Sequence, residues 1–170
     1  AHLESLYLGI LARRTMIATN TRRVVEAAKG KPVFFFADRF DDFCNQEGDG
    51  YAARLGGEAG VCTPAHASRW NGVPIGTIPH ALIAVSGGDT VKATQRFAKY
   101  IRGVNVVALV DFDNDCVGTS LAVAKALGKK LWGVRLDTAA DLMDVSASSL
   151  GVNPALVRRV RQALDEAGHA

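Results

Sequence analysis

The sequence predicts an α/β protein built on parallel strands, and three observations carry that expectation. Short apolar runs alternate with longer segments whose apolar residues recur every three or four positions. The runs are continuous rather than alternating, as in strands buried on both faces. Polar and charged residues gather directly after the runs, where parallel α/β folds place their ligands. Either a barrel or an open doubly wound sheet satisfies this pattern.

Leu3, Leu6, Tyr7, Ile10, Leu11, Ile17, Ala18, Val24, Val25 and Ala28 recur at helical steps. They predict one long amphipathic helix packed into the core, or two with a break near Thr19–Asn20, stopped at Gly30. Val33–Phe36 is the first buried strand. A glycine-rich stretch from Gly48 to Gly60 then flanks a short helix over Tyr51–Leu55, and Gly56–Gly57 suits a turn. Val61–Thr63 reads as a brief strand, Val73–Ile78 as another, and Ala81–Val85 as a short helix. Val91, Thr94, Phe97, Ala98 and Ile101 mark the next helix. Val104–Val110 is the clearest strand. Val117, Leu121, Ala124 and Leu127 mark the helix after it, and Leu131–Leu136 is again a strand. Beyond a Ser-containing loop, Asn153 caps a last helix with Pro154 at its first position. Leu156, Val157, Val160 and Leu164 form its apolar face, and Gly168 ends it. No repeat, low-complexity segment or linker interrupts the chain, so residues 1–170 read as a single domain. The chain opens without an initiator Met, inside a helical pattern, and stops just after a helix. Both ends read as cuts through a larger protein.

Composition narrows the function classes. The net charge is +3 and the pI about 8.9, but Lys and Arg are spread along the chain, with no basic block interleaved with aromatics. Nucleic acid is therefore a poor partner. Arg13, Arg14, Arg22 and Arg23 read as a solvated face of the first helix. No apolar run reaches the roughly 18 residues of a membrane span, and no signal-peptide pattern opens the chain. Cys44, Cys62 and Cys116 are an odd number without CxxC spacing. They read as reduced intracellular thiols, not as a disulfide frame or a zinc site.

The ends of the strands carry the chemistry. Asp38–Arg39 follows the first strand, Thr63 the second and His80 the third. Asp111-Phe112-Asp113-Asn114-Asp115 follows the fourth, while the fifth carries Arg135 and is followed by Asp137–Thr138. Arg supplies paired bonds to phosphate or carboxylate. Carboxylates hold Mg²⁺ or sugar hydroxyls, and a histidine serves as base, acid or nucleophile. The set suits an anionic, phosphate-bearing substrate with a metal. Plainer roles compete: Asp111 and Asp137 as caps or turn residues, His80 as a surface residue, Arg39 as the surface partner of Asp38 or Asp42. Asp111, Asp113 and Asp115 have calcium-loop spacing but lack the following Gly and distal Glu, which excludes that loop.

Ordered along nearly the whole chain are SLYLGILARRTMIATNTRRVVEAA, FFADRFDD, GGEAGVCT, GTIPHALI, VALVDFDND, GVRLDT and VNPALVRRVRQALDEAG. In these pieces the sequence resembles the nicotinate phosphoribosyltransferases, which share the type II phosphoribosyltransferase barrel. The resemblance implies a reaction between nicotinate and phosphoribosyl pyrophosphate that forms nicotinate mononucleotide and pyrophosphate in NAD salvage. It implies coupled ATP hydrolysis through a phosphorylated histidine, which His80 matches. Asp111 and Asp137 match catalytic carboxylates near the ribose and the Mg²⁺. Arg39 and Arg135 match substrate-site arginines, and Thr138, Thr63 and Thr77 are further substrate-binding candidates. It further implies a cytoplasmic homodimer, with an N-terminal sandwich domain and last barrel strands that these 170 residues lack. The expected fold is thus an incomplete parallel α/β barrel. The sister quinolinate phosphoribosyltransferase, which decarboxylates its substrate, and a non-catalytic barrel fragment acting in assembly or binding are the alternatives.

Overall fold

A computed structural model describes residues 2–39 and 41–169. Phe40, inside the FFADRFDD motif, lies outside the described residues. The chain divides into two compact units, one running to Gly76 and the other beginning at Thr77.

The first unit opens with α1 (His2–Ala27), one helix without a break at Thr19–Asn20. It ends as Lys29 and Gly30 enter the left-handed region, where Gly carries no steric cost. β1 (Phe34–Phe35) pairs in parallel with β2 (Gly60–Val61). Between them lies α2 (Gln46–Gly56), longer than the Tyr51–Leu55 expected, because Gly48 and Gly50 stand inside it. Helical Gly costs about 1 kcal/mol against Ala, yet packing demands it here. A Cβ on Gly50 would meet the His66 carbonyl oxygen at 2.2 Å, and one on Gly56 would meet Thr21 Cβ at 2.6 Å. Gly56 is therefore a point of close helix contact, and Gly57, left-handed at φ 95°, closes the helix.

Several expectations need correcting in this unit. The Leu3–Leu11 face of α1 is not core, since Leu3, Leu6, Tyr7, Ile10 and Leu11 are all more than half exposed. The reason is length. α2 has 11 residues against 26 in α1, so it covers only part of that helix. Nor are Arg13 and Arg14 a solvated face. Both grip Asp49, which is buried on α2, and Arg13 also reaches Asp41 at 2.5 Å. Arg22 does sit exposed, paired with Glu26. Phe34 is exposed on β1, so that strand is not buried on both faces. Thr63 leaves the β2 ladder to cap α3 (Pro64–Ala67), accepting from the His66 amide at 3.1 Å. Glu58 is buried, and neither carboxylate oxygen has a well-formed hydrogen bond. Burial raises its pKa despite the Arg54 charge and the Gly60 amide nearby.

The second unit holds α4 (His80–Val85), α5 (Thr90–Tyr100), β3 (Val106–Leu109), α6 (Cys116–Leu127), β4 (Leu131–Arg135) and α7 (Pro154–Glu166). β3 and β4 pair in parallel, Leu109 opposite Arg135, with one irregularity between Val106 and Val107. β3 is buried on both faces, as its apolar run requires. Val106, Ala108 and Val110 pack with Val123, Leu127, Leu156 and Leu164. Leu109 turns the other way, toward Ile78, Ile83 and Ala93. Asn153 caps α7 through the Ala155 and Leu156 amides, but Val157 is about half exposed, off the buried face formed by Leu156, Val160 and Leu164.

The stretch Val73–Ile78 is no ladder strand. Pro74 has no N–H to donate, and the segment makes single bonds only. Ile75 N–H donates to Val61 O at 2.8 Å, and Ile78 N–H donates to Val107 O at 3.2 Å. Among the described residues no helix is long and apolar enough to cross a membrane.

Candidate active site

The carboxyl ends of β3 and β4 carry the polar residues of the second unit. One residue past Val110, Asp111 is buried and its Oδ2 lies 3.2 Å from His80 Nε2. His80 opens α4 directly after Pro79, and its side chain is 41% exposed, so the ring is gripped on one side and open on another. Phe112 flanks it, ring centroids 6.4 Å apart. Asp111 Oδ1 is buried without a hydrogen-bond partner. A buried carboxylate oxygen left so is costly unless something polar reaches it.

The Asp-rich turn divides its labour. Asn114 takes the left-handed conformation, which Asn tolerates. Asp115 caps α6 through the Gly118 amide at 2.8 Å, and Asp113 faces outward. Only Asp111 points into the site, so the capping role weighed for it falls to Asp115.

At the end of β4, the Arg135 guanidinium is held from two sides. Its Nη1 donates to the Thr77 hydroxyl at 2.9 Å, and Nη2 pairs with Asp137 Oδ2 at 2.8 Å. Thr138 is buried with its hydroxyl 3.8 Å from Cys116 Sγ. Burial pushes the Cys116 thiol up to about 12, so it stays a neutral thiol and takes no nucleophilic part.

The loop after β4 is anchored by Asp144, a buried residue that the sequence reading missed. Its carboxylate accepts from the Cys116 amide at 2.7 Å and the Ser146 amide at 2.8 Å, and Val145 N–H donates to Asn114 O at 2.8 Å. Burial works to raise its pKa, but the bonds from Ser146 and Cys116 prevail and hold it low. The Asp-Val-Ser spacing of residues 144–146 was the available signal, since Asp commonly bonds the backbone two residues on.

The second unit therefore brings together Thr77, His80, Asp111, Arg135, Asp137 and Thr138. Arg39 and Thr63 belong to the first unit. Arg39 is exposed, 3.9 Å from Asp38, matching the plain surface pairing weighed for it. The Thr63 hydroxyl donates to Gln46 Oε1 at 2.9 Å and sits 2.9 Å from His66 Nδ1. His66, also missed, is fully buried against the Phe35 ring. Burial lowers its pKa although Asp38 and the Ala37 carbonyl pull it up, so it is neutral at pH 7. Cys62 lies 3.7 Å from His66 Nδ1. Cys44 is exposed in the turn over Phe43–Asn45 that Asp42 caps. Among the described residues no three His, Cys, Asp or Glu side chains cluster to hold a metal ion.

No profile of a known protein family matches the chain. Across 98% of its length it is 34% identical to a nicotinate phosphoribosyltransferase of Mycobacterium tuberculosis, in each of two strains. The chain is a homologue of that enzyme. It spans about a third of that relative's length, 36%. Its fold is similar to the crystal structure of nicotinate-nucleotide pyrophosphorylase from Pyrococcus furiosus, with a TM-score of 0.80 and 36% identity. That match covers 92% of this chain and 39% of the other. Both the sequence relative and the structural neighbour thus carry the names of enzymes of pyridine nucleotide chemistry, and the mixed α/β fold with parallel strands is common ground.

Proposed function

We propose that the chain carries the catalytic strand ends of a nicotinate phosphoribosyltransferase, as one portion of a parallel α/β barrel completed by strands and a domain outside these residues. The observation that carries this reading is the His80–Asp111 pair, 3.2 Å apart at the end of β3. A carboxylate beside Nε2 favours the tautomer protonated there and leaves the Nδ1 lone pair for attack. His80 then takes the terminal phosphoryl group of ATP. The N–P bond forms, the bond to the bridging oxygen breaks, and ADP leaves. The phosphohistidine carries about −1.5 to −2 charge, placed beside the residues that hold the substrates.

In the main reaction the pyridine nitrogen of nicotinate attacks C1′ of phosphoribosyl pyrophosphate, and the bond to the pyrophosphate oxygen breaks. Positive charge develops on the ribose ring, where Asp111 and Asp137 stabilise it. Arg135 and Arg39 bind anionic groups, and Thr63, Thr77 and Thr138 line or support the substrates. Asp111 and Asp137 also suit Mg²⁺. The partnerless buried Oδ1 of Asp111 supports that fit, and Mg²⁺ is commonly held by one or two carboxylates plus substrate phosphates. Bound there, it would neutralise charge on the departing pyrophosphate. The enzyme works as a cytoplasmic homodimer on this reading.

The test is nicotinate mononucleotide formation from nicotinate, phosphoribosyl pyrophosphate, Mg²⁺ and ATP, beside an Asp137→Ala control. Product that disappears in the control supports the proposal, and no turnover with any pyridine base overturns it. The likeness to a nicotinate-nucleotide pyrophosphorylase favours a second reading, a decarboxylating enzyme acting on quinolinate. Release of CO₂ from carboxyl-labelled quinolinate, without need for ATP, would establish that reading instead.

A further inference from the structure

We infer that Thr77 acts on the anionic substrate through Arg135, as a positioning residue. The inference rests on the reading of Arg135 as an anion-binding residue. The Ile78 amide, bonded to Val107 O, fixes the segment around Thr77 beside β3. From there the Thr77 hydroxyl accepts from Arg135 Nη1 at 2.9 Å, while Asp137 takes Nη2 at 2.8 Å. The Thr77 grip comes from a segment 58 residues before Arg135, and the Asp137 grip from the loop just after β4. A guanidinium is planar and rigid, so holding both terminal nitrogens fixes its plane as well as its place. The Thr77 bond adds a second direction of restraint to the one that Asp137 sets. Arg135 is 28% exposed, shielded enough for the Thr77 bond to count. The Thr77 oxygen is the acceptor in this bond, so its link to Arg135 is the contact through which it orients the guanidinium.

A plane fixed in this way suits an anion with two oxygens. The pyridine carboxylate and the phosphate groups of phosphoribosyl pyrophosphate both offer them, and the experiment separates the two.

Titration calorimetry with nicotinate and, separately, with phosphoribosyl pyrophosphate is run on wild type, Thr77→Val, Thr77→Ala, Thr77→Ser and Arg135→Lys. Arginine side-chain ¹⁵N spectra are recorded alongside. Thr77→Val keeps the shape and removes the hydroxyl. It should weaken one of the two anions about tenfold, the scale of one hydrogen bond to a charged group. Thr77→Ala should match it, which covers a Val variant that fails to fold. Thr77→Ser should recover the affinity. The separate Arg135 Nη signals should merge in the Val variant as the guanidinium rotates, a change that loss of packing alone does not produce. Weakened nicotinate binding, with poorer discrimination against nicotinamide, assigns Arg135 to the carboxylate; weakened phosphoribosyl pyrophosphate binding assigns it to phosphate. Wild-type affinity in the Val and Ala variants, or no recovery in Thr77→Ser, overturns the inference while a loss in Arg135→Lys leaves the anion reading standing. Full affinity in Arg135→Lys, or a wild type that binds neither anion, overturns the Arg135 reading and the inference with it.

Discussion

His80 meets Asp111 across 31 positions of chain, and each residue explains the other's setting. A carboxylate this buried requires a partner, and an imidazole opening a helix gains a fixed orientation from it. His80→Ala should abolish acid-labile phosphate incorporation from γ-labelled ATP and all ATP stimulation of turnover. A variant that kept full stimulation would exclude the phosphohistidine step. Asp111→Asn retains the shape but loses the charge, and should lower kcat by about 10²-fold or more, as loss of one stabilising group at a developing charge typically does. Asp144 and Glu58 give opposite pH signatures. Asp144 has a depressed folded pKa, so its contribution to stability is present above the unfolded value of about 3.9 and is lost as pH falls through the folded value. Asp144→Asn should therefore lower Tm at pH 7 and converge on wild type in acid. Glu58 has a raised folded pKa. Its favourable contribution is complete below the unfolded value of about 4.3 and is lost as pH rises through the folded one. Glu58→Gln should accordingly raise Tm at pH 7, with the gain fading toward pH 4; thermal melts across pH read both signs directly. Both strand-end histidine and carboxylates were visible in the sequence because strand ends are where parallel folds keep their chemistry. Asp144, His66 and Asp49 were not, because long-range hydrogen bonding and burial leave no mark in local spacing.

Among the elements, most of the helices, β3 and β4 follow from periodicity, since an apolar face or a fully buried strand imposes its own pattern. Two elements went astray for distinct physical reasons. Val73–Ile78 has a strand's composition, but Pro74 withholds a donor and leaves only single bonds. α1 has a core helix's pattern, but its neighbour α2 is too short to cover all of it. The glycines of α2 were equally opaque. They look like turn signals and act as contact points, which only the partner backbone reveals. Gly50→Ala tests this directly. With the His66 carbonyl 2.2 Å from the new Cβ, helix propensity would gain but overpacking should cost about 1–3 kcal/mol net, read as a shift in denaturant midpoint. Stability equal to or above wild type would remove the close-contact account.

For the molecule as a whole, what was legible was the class, parallel α/β, and the strand ends at which the polar residues gather. The division at Gly76–Thr77 was not legible, because no linker composition marks it and the extended segment there resembles a strand. Mg²⁺ on the proposed reading serves substrates and is not a structural staple, so chelation should abolish turnover and leave Tm unchanged within error. A large fall in Tm with EDTA would point instead to a structural ion. One further consequence lies in the three thiols. Cys116 is walled in with its pKa near 12 and Cys62 is partly sheltered beside His66, while Cys44 stands open in its turn. Its hydrogen bond with Asp42 raises its pKa, so alkylation there will be slow at neutral pH and quicken in mild alkali. That difference provides an orthogonal handle without mutagenesis. A fluorophore attached at Cys44, five residues along the chain from Arg39, would report in real time on any anion that arrives at that loop.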